Sequence, residues 1–249
     1  MRRLFIIVII LATLTAPGMS MMKISLHDYP DSIDDPFDGC KDKMRELIKT
    51  KYLEKELEEN QLFGTLWKKV KQLINLKGES DDELRKLALS AYTGPSVYQV
   101  LNTKMRDEKT RYKTEFGLIS LHFLITDGIQ SLNPDKQCQT TYRFGSDKYV
   151  IKGDKIRFGS FASSSRNPRL KTFGRKTCFI IETCFGADIS KLSLSKTEAE
   201  VLIPPYEEFK VDLAEKEIPE ELRDCGQVYK LMSTKVKKNN MNCELLKMT

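Results

Sequence analysis

Histidine is nearly absent: His27 and His122 are the only two, far apart in the chain. A His-rich metal site and a compact Ser/His/Asp hydrolase are therefore poor starting readings. Glycine and proline number only 13 and 9, and no heptad is sustained. Collagen-like, low-complexity and coiled-coil chains are excluded on those grounds. No G-x-G-x-x-G follows a strand pattern and no Walker sequence occurs, so glycine-rich phosphate loops are missing. What is present is an ordinary globular balance of 40% hydrophobic and 31% charged residues. A chain of 249 residues is long enough for one sizeable core, or for two small domains.

Basic residues exceed acidic ones only modestly, 41 against 35. The runs Lys68-Lys69-Val70-Lys71 and Lys235-Val236-Lys237-Lys238 read as solvated faces. So small and interspersed a charge gives no reason to expect a nucleic-acid partner. The first residues combine Arg2 and Arg3 with an apolar run from Leu4 to Leu14, followed by small residues such as Ala16, Gly18 and Ser20. That is the layout of a cleaved secretory signal over residues 1–20. The alternative, a membrane anchor, needs about 20 apolar residues. The segment Asn242–Thr249 lacks the polar spacer and apolar tail of a lipid-anchor signal. The expectation is a secreted, extracellular protein with no stable membrane anchor and, lacking any Asn-x-Ser/Thr acceptor, no N-glycan.

Six cysteines stand at 40, 138, 178, 184, 225 and 243, none in Cys-x-x-Cys spacing. An even count after a secretory signal points to structural disulfides rather than to zinc or thioredoxin-like chemistry. Six cysteines allow fifteen pairings, and the residues alone do not choose among them.

Residues 41 to about 132 read as helical, and the period changes after Cys138. The set Leu62, Leu66, Trp67, Val70, Leu73 and Ile74 follows helical spacing. Ser80 with Glu83 fits a capping box. Further helices are expected over 96–111 and 114–131, with His122 a buried structural histidine. Short segments rich in β-formers follow at 140–144, 155–158, 178–181, 200–203 and 228–231. Helices first and strands later indicate an α+β fold.

One stretch suggests chemistry. Glu198 and Glu200 stand two apart where the apolar segment Val201-Leu202-Ile203 begins. If that segment is extended, the two carboxylates share one face. Paired carboxylates suit reactions at an anomeric carbon, where a sugar cation must be stabilised. Alone, an E-x-E before a strand is more often an exposed edge.

Its context resembles the vertebrate-type ecto-mono-ADP-ribosyltransferases, the arginine-modifying family with an R-S-E site. The resemblance rests on Asp34-Asp35-Pro36-Phe37-Asp38-Gly39-Cys40, Ala91-Tyr92-Thr93, Val97-Tyr98 and Leu121-His122-Phe123-Leu124-Ile125-Thr126. It continues through Cys138-Gln139-Thr140-Thr141-Tyr142-Arg143, Arg157 to Ser165, and Glu198-Ala199-Glu200-Val201-Leu202-Ile203-Pro204-Pro205. It covers most of the chain after the signal. It implies a single domain over 21–249, with a helical part followed by a β-sandwich-like NAD-binding core of ADP-ribosyltransferase type over about 138–243.

The implied co-substrate is NAD, with no metal, and the implied acceptors are protein arginines. Arg143 would hold NAD through its phosphate and ribose side, and Ser163 would brace Glu200. Glu200 would stabilise the cationic sugar, and Glu198 would orient the acceptor guanidinium. Phe173 matches a loop aromatic near nicotinamide, and Ser160 and Ser193 match residues lining the NAD cleft. The resemblance also implies the bridges Cys40–Cys243 and Cys138–Cys184, leaving Cys178 and Cys225 with the option of a third. Two departures stand out: Phe144 where Gly commonly follows the arginine, and Ala199 where Glu is frequent. Phe144 is expected to narrow or reshape the nicotinamide pocket, and Ala199 to point away on an alternating strand. Two alternatives to the transferase are an NAD glycohydrolase and a secreted binding protein of the same fold with little activity.

Overall fold

The structure, a computed structural model, describes residues 23–214 and 218–247. The expected signal, residues 1–20, lies outside the described residues. After a short strand, β1 (Lys23–Leu26), come α1 (Lys41–Leu47), a π-helical stretch (Ile48–Tyr52), α2 (Leu53–Glu59), α3 (Gln61–Leu73), α4 (Asp81–Tyr92), α5 (Val97–Asp107) and α6 (Ile119–Leu132). The strands that follow are β2 (Gln139–Gly145), β3 (Lys148–Ile151), β4 (Lys155–Ile156), β5 (Ala162–Ser165), β6 (Thr177–Thr183), β7 (Ala187–Asp188), β8 (Glu200–Ile203), β9 (Glu207–Leu213) and β10 (Val228–Lys237). The fold is α+β, as the change of period indicated.

Local chemistry sets the helix ends. At α4 the capping box is complete: the Glu83 amide donates to Ser80 Oγ at 3.2 Å, and the Glu83 side chain accepts from the Ser80 amide. Asn60 caps α3 by accepting from the Phe63 amide at 3.1 Å. The buried face of α3 is Phe63, Leu66, Trp67 and Val70, with Ile74 partly buried beyond it, so the expected face holds except at Leu62 and Leu73. Leu62 and Leu73 are exposed at 40% and 64%. Helices α2 and α3 touch at Gly64, where a Cβ would run into the Leu57 carbonyl. Helix α5 ends earlier than expected, and residues 109–111 form a 3-10 turn. Helix α6 begins only at Ile119, where the buried Glu56 accepts from the Ile119 and Ser120 amides at 2.6 and 2.8 Å. A carboxylate there complements the helix dipole. His122 sits inside, with Nδ1 3.1 Å from the Tyr112 hydroxyl.

Eight strands form one sheet in the order β4-β9-β10-β6-β2-β5-β8-β7, while β1 and β3 pair separately in parallel. Between the two sheets lies an apolar layer that includes Leu26, Phe158, Phe179, Phe209 and Leu231. A larger core joins the helices to the other side through Phe161, Ala187, Ile189 and Leu202. One seam matters for the site: β2 and β5 share a single register pair, Tyr142 with Ser165. The strands on either side are fully laddered, β2 to β6 over seven pairs and β5 to β8 over four.

Buried ions fasten the ends of the chain. Arg157, fully buried, donates to Asp34 at 2.5 Å and to the carbonyls of Asp28, Tyr29 and Lys238. Asp35 accepts from the amides of Phe37, Cys243 and Glu244. Asp34 and Asp35 are thus structural clasps. All six cysteines are paired, as Cys40–Cys243, Cys138–Cys184 and Cys178–Cys225. The third bridge, left open by the sequence, is present. Among the described residues no helix is long and apolar enough to cross a membrane.

Candidate active site

A cleft of about 480 Å³ opens at the β2–β5 seam. It draws Arg143 from β2, Ser163 from β5, Glu200 from β8 and Glu198 from the 3-10 turn Lys196–Glu198 just before it. Tyr92 and Asn102 close it from α4 and α5. Phe173 stands at its edge, 47% exposed, at the end of a 3-10 turn.

Each group is held by its neighbours. Arg143 Nη1 donates to the Ser163 carbonyl at 2.5 Å, tying the two sides of the seam together. Its guanidinium lies 5.9 Å from the Phe158 ring centre. The serine run on β5 then fixes the acidic turn. Ser165 Oγ donates to the Glu198 carbonyl at 2.5 Å, Ser164 Oγ to Val201 at 3.0 Å, and the Arg166 amide to Ala199 at 3.0 Å. Glu200 is buried, at 4% exposure. Burial pushes its carboxyl above the usual range; hydrogen bonds from Ser163 and Ser193 pull it back, Glu198 raises it, and Arg143 lowers it.

The sequence expectation of an extended Glu198-Ala199-Glu200 is corrected here. Glu198 is in the turn, and Ala199 adopts a left-handed conformation with φ 45°. The carboxylates therefore do not share a face by strand alternation, although both line the cleft. The alternation argument for Ala199 falls with it. Ser160 and Ser193 are fully buried and are not among the cleft-lining residues. The Ser160 hydroxyl turns to the Phe161 carbonyl at 3.3 Å, while the Ser193 hydroxyl donates to the Ser195 carbonyl at 3.4 Å. Phe144 lines the cleft and is buried with Cys178, Leu222 and Val228, under the Arg175 guanidinium.

Sequence reading missed the helical wall. Tyr92 enters the sequence reading only within the motif Ala91-Tyr92-Thr93, without a role, and Asn102 is not singled out. The signal was a polar stripe on α5: Gln99, Asn102, Thr103 and Arg106 recur at i, i+3, i+4 and i+7, and all line the cleft. Asn102 is buried at 9% exposure, and its Oδ1 has no partner among the described residues. An unpaired buried acceptor facing a cleft fits a ligand that brings donors, as ribose hydroxyls would.

An α+β chain with arginine, serine and two glutamates meeting at a sheet seam defines a class of NAD-using transferases. The family profile described as NAD:arginine ADP-ribosyltransferase matches residues 26–222, and the chain belongs to that family. It is 34% identical over 231 residues to mouse T-cell ecto-ADP-ribosyltransferase 1, covering 86% of this chain and 75% of the relative. Human ecto-ADP-ribosyltransferase 4 is 30% identical over 247 residues, covering 91% and 74%. A crystal structure of a variant of the eucaryotic mono-ADP-ribosyltransferase ART2.2 in complex with NADH superposes with a TM-score of 0.75 at 28% identity, covering 88% of this chain and 98% of that one. Three disulfides agree with an extracellular setting, as do the relatives' names.

Proposed function

We propose that the protein is a secreted mono-ADP-ribosyltransferase that moves ADP-ribose from NAD to arginine side chains of proteins and releases nicotinamide. The observation that carries this reading is the meeting of Arg143, Ser163, Glu198 and Glu200 in one cleft. The reaction breaks the bond between nicotinamide and ribose and forms one between the sugar carbon and a guanidinium nitrogen, which gives up a proton.

Each residue has a role that its place supports. Arg143 presents a guanidinium fork to phosphate oxygens; among the described residues one of its donors is taken, by the Ser163 carbonyl. Glu200 lies where positive charge develops on the sugar, and a preorganised carboxylate stabilises that charge without reorganisation. Ser163 and Ser193 favour its charged form against the burial that raises it. Glu198, less buried, is placed to orient an incoming guanidinium and to attract its proton. Phe173 and Phe144 supply apolar walls for the nicotinamide, with Phe144 fixed in its own cluster rather than free to close the pocket. Ser160 has a structural role in this account. Residues 21–249 act as one catalytic domain after removal of residues 1–20.

The test is direct: purified protein with NAD, with and without agmatine. The expected result is nicotinamide release together with ADP-ribosylagmatine by mass spectrometry. Nicotinamide release with no agmatine product identifies an NAD glycohydrolase instead.

A further inference from the structure

Glu198 ends a loop, residues 189–198, whose inner side is fixed and whose outer side is basic. Ser90 Oγ donates to the Leu192 carbonyl at 2.8 Å, and the Leu194 amide donates to Thr93 Oγ1 at 3.0 Å. The end of α4 thus anchors the loop, and Leu192 and Leu194 pack on the helical core. The outer side presents Lys191 and Lys196, both exposed. Lys196 Nζ donates to the Lys191 carbonyl at 2.6 Å, which closes the loop two residues before Glu198. Among the described residues, neither lysine has a carboxylate partner.

The charges around the site leave these two lysines as the excess. Within the cleft, Arg143 and Arg106 balance Glu198 and Glu200. Beyond the acidic turn, the segment after β5 brings Arg166, whose amide donates to the Ala199 carbonyl, and then Arg169. Both are already paired, Arg166 with Asp188 at 2.6 Å and Arg169 with Glu221 at 3.3 Å. Lys191 and Lys196 therefore set the sign of the rim beside Glu198. An acceptor arginine is itself a cation, and a basic rim opposes its approach. Acidic residues next to that arginine turn the opposition into attraction. We propose that Lys191 and Lys196 form a docking rim that selects protein arginines flanked by aspartate or glutamate. The loop is held in place before the acceptor arrives, so docking orders little. Both ammonium groups are exposed, so the selection is modest and weakens with salt.

This inference rests on the functional reading above, naming its acceptor class, and the experiment separates their failures. The probes are agmatine and three short peptides, each with one arginine flanked by glutamates, glycines or lysines. The measurement is kcat/KM for ADP-ribosyl transfer at saturating NAD. Wild type should prefer the glutamate-flanked peptide to the lysine-flanked one by roughly tenfold at low salt, the combined effect of two exposed charge pairs. The preference should shrink in about 0.5 M sodium chloride. Lys191→Glu combined with Lys196→Glu should reverse the order, a gain for the lysine-flanked peptide that misfolding cannot imitate. Nicotinamide release into water involves no acceptor and should stay near the wild-type rate in that variant. Equal transfer to all three peptides by wild type, or an unreversed order in the double variant, overturns the rim, while agmatine modification upholds the functional reading. Absence of any ADP-ribosylated peptide or agmatine from wild type overturns both.

Discussion

Glu198 and Glu200 enter one cleft across a single left-handed residue, Ala199, which ends the 3-10 turn and lets Glu200 open β8. The turn gives the two carboxylates different surroundings two residues apart. Glu200 is buried against serine hydroxyls, and Glu198 is partly open to solvent. Different surroundings support different duties, one toward the sugar and one toward the acceptor.

Glu198→Gln is expected to separate transfer from hydrolysis. The amide keeps size and some hydrogen bonding but loses the charge that orients a guanidinium; water needs no such orientation. Transfer to agmatine should fall by roughly 10²-fold, the lower end for loss of one preorganised group. Nicotinamide release into water should remain measurable. Equal loss of both, with folding and NAD affinity unchanged, would place Glu198 in the common step.

The left-handed turn predicts an unusual tolerance at Ala199. Glycine adopts this conformation freely, whereas a β-branched side chain does not. Ala199→Val should destabilise the protein by roughly 1–2 kcal/mol. Ala199→Gly should stay within about 0.5 kcal/mol of wild type, since relief of strain offsets the added chain entropy. Urea unfolding midpoints of the two variants check this; equal midpoints would mean the turn relaxes at no cost.

The cysteine framework has a direct check. Non-reducing peptide mapping should recover three linked pairs, including Cys178–Cys225. That bridge ties the loop behind the cleft to the residue in register with Phe144. It closes 47 residues, so the double substitution to alanine should lower stability by roughly 3–4 kcal/mol in the chain-entropy picture. A free thiol at Cys178 or Cys225 would contradict the structure.

His122 makes the core sensitive to acid. Burial holds its imidazole neutral, down to about 3, while the unfolded chain titrates near 6.5. The unfolded state therefore binds the proton first. The stability His122 contributes is complete above pH 6.5 and is lost progressively as pH falls towards 3. His122→Phe should show a shallower fall in melting temperature between those limits than wild type. Parallel curves would show that His122 does not set the acid response.

Much of this was written locally, and what was hidden had long-range causes. The α4 capping box needs four adjacent residues and was readable from them. Arg143, Ser163 and Glu200 were readable as an ordered set, and the cleft brings them together. Strand β9 was not readable because Glu-Glu-Phe-Lys-Val-Asp-Leu looks like a solvated segment. Its Glu207 is buried because Thr183 and the amides of Cys184 and Phe185 satisfy it from β6 and the turn beyond. The Arg157–Asp34 pair spans 123 residues and leaves no local pattern. The turn at Ala199 was hidden for a different reason: no glycine or asparagine marks it. Tyr92 and Asn102 carried no role in the sequence because only the packing of α4 and α5 over the sheet brings them to the cleft.

The central claim is that Glu200 stabilises the sugar as nicotinamide leaves, so that every reaction of the cleft depends on it. The measurement is nicotinamide release and ADP-ribosylagmatine formation by wild type and Glu200→Gln at saturating NAD. The account predicts that both products fall together, by roughly 10²–10³-fold, with the melting temperature little changed. Near-normal formation of either product by Glu200→Gln would show that the reaction takes place elsewhere.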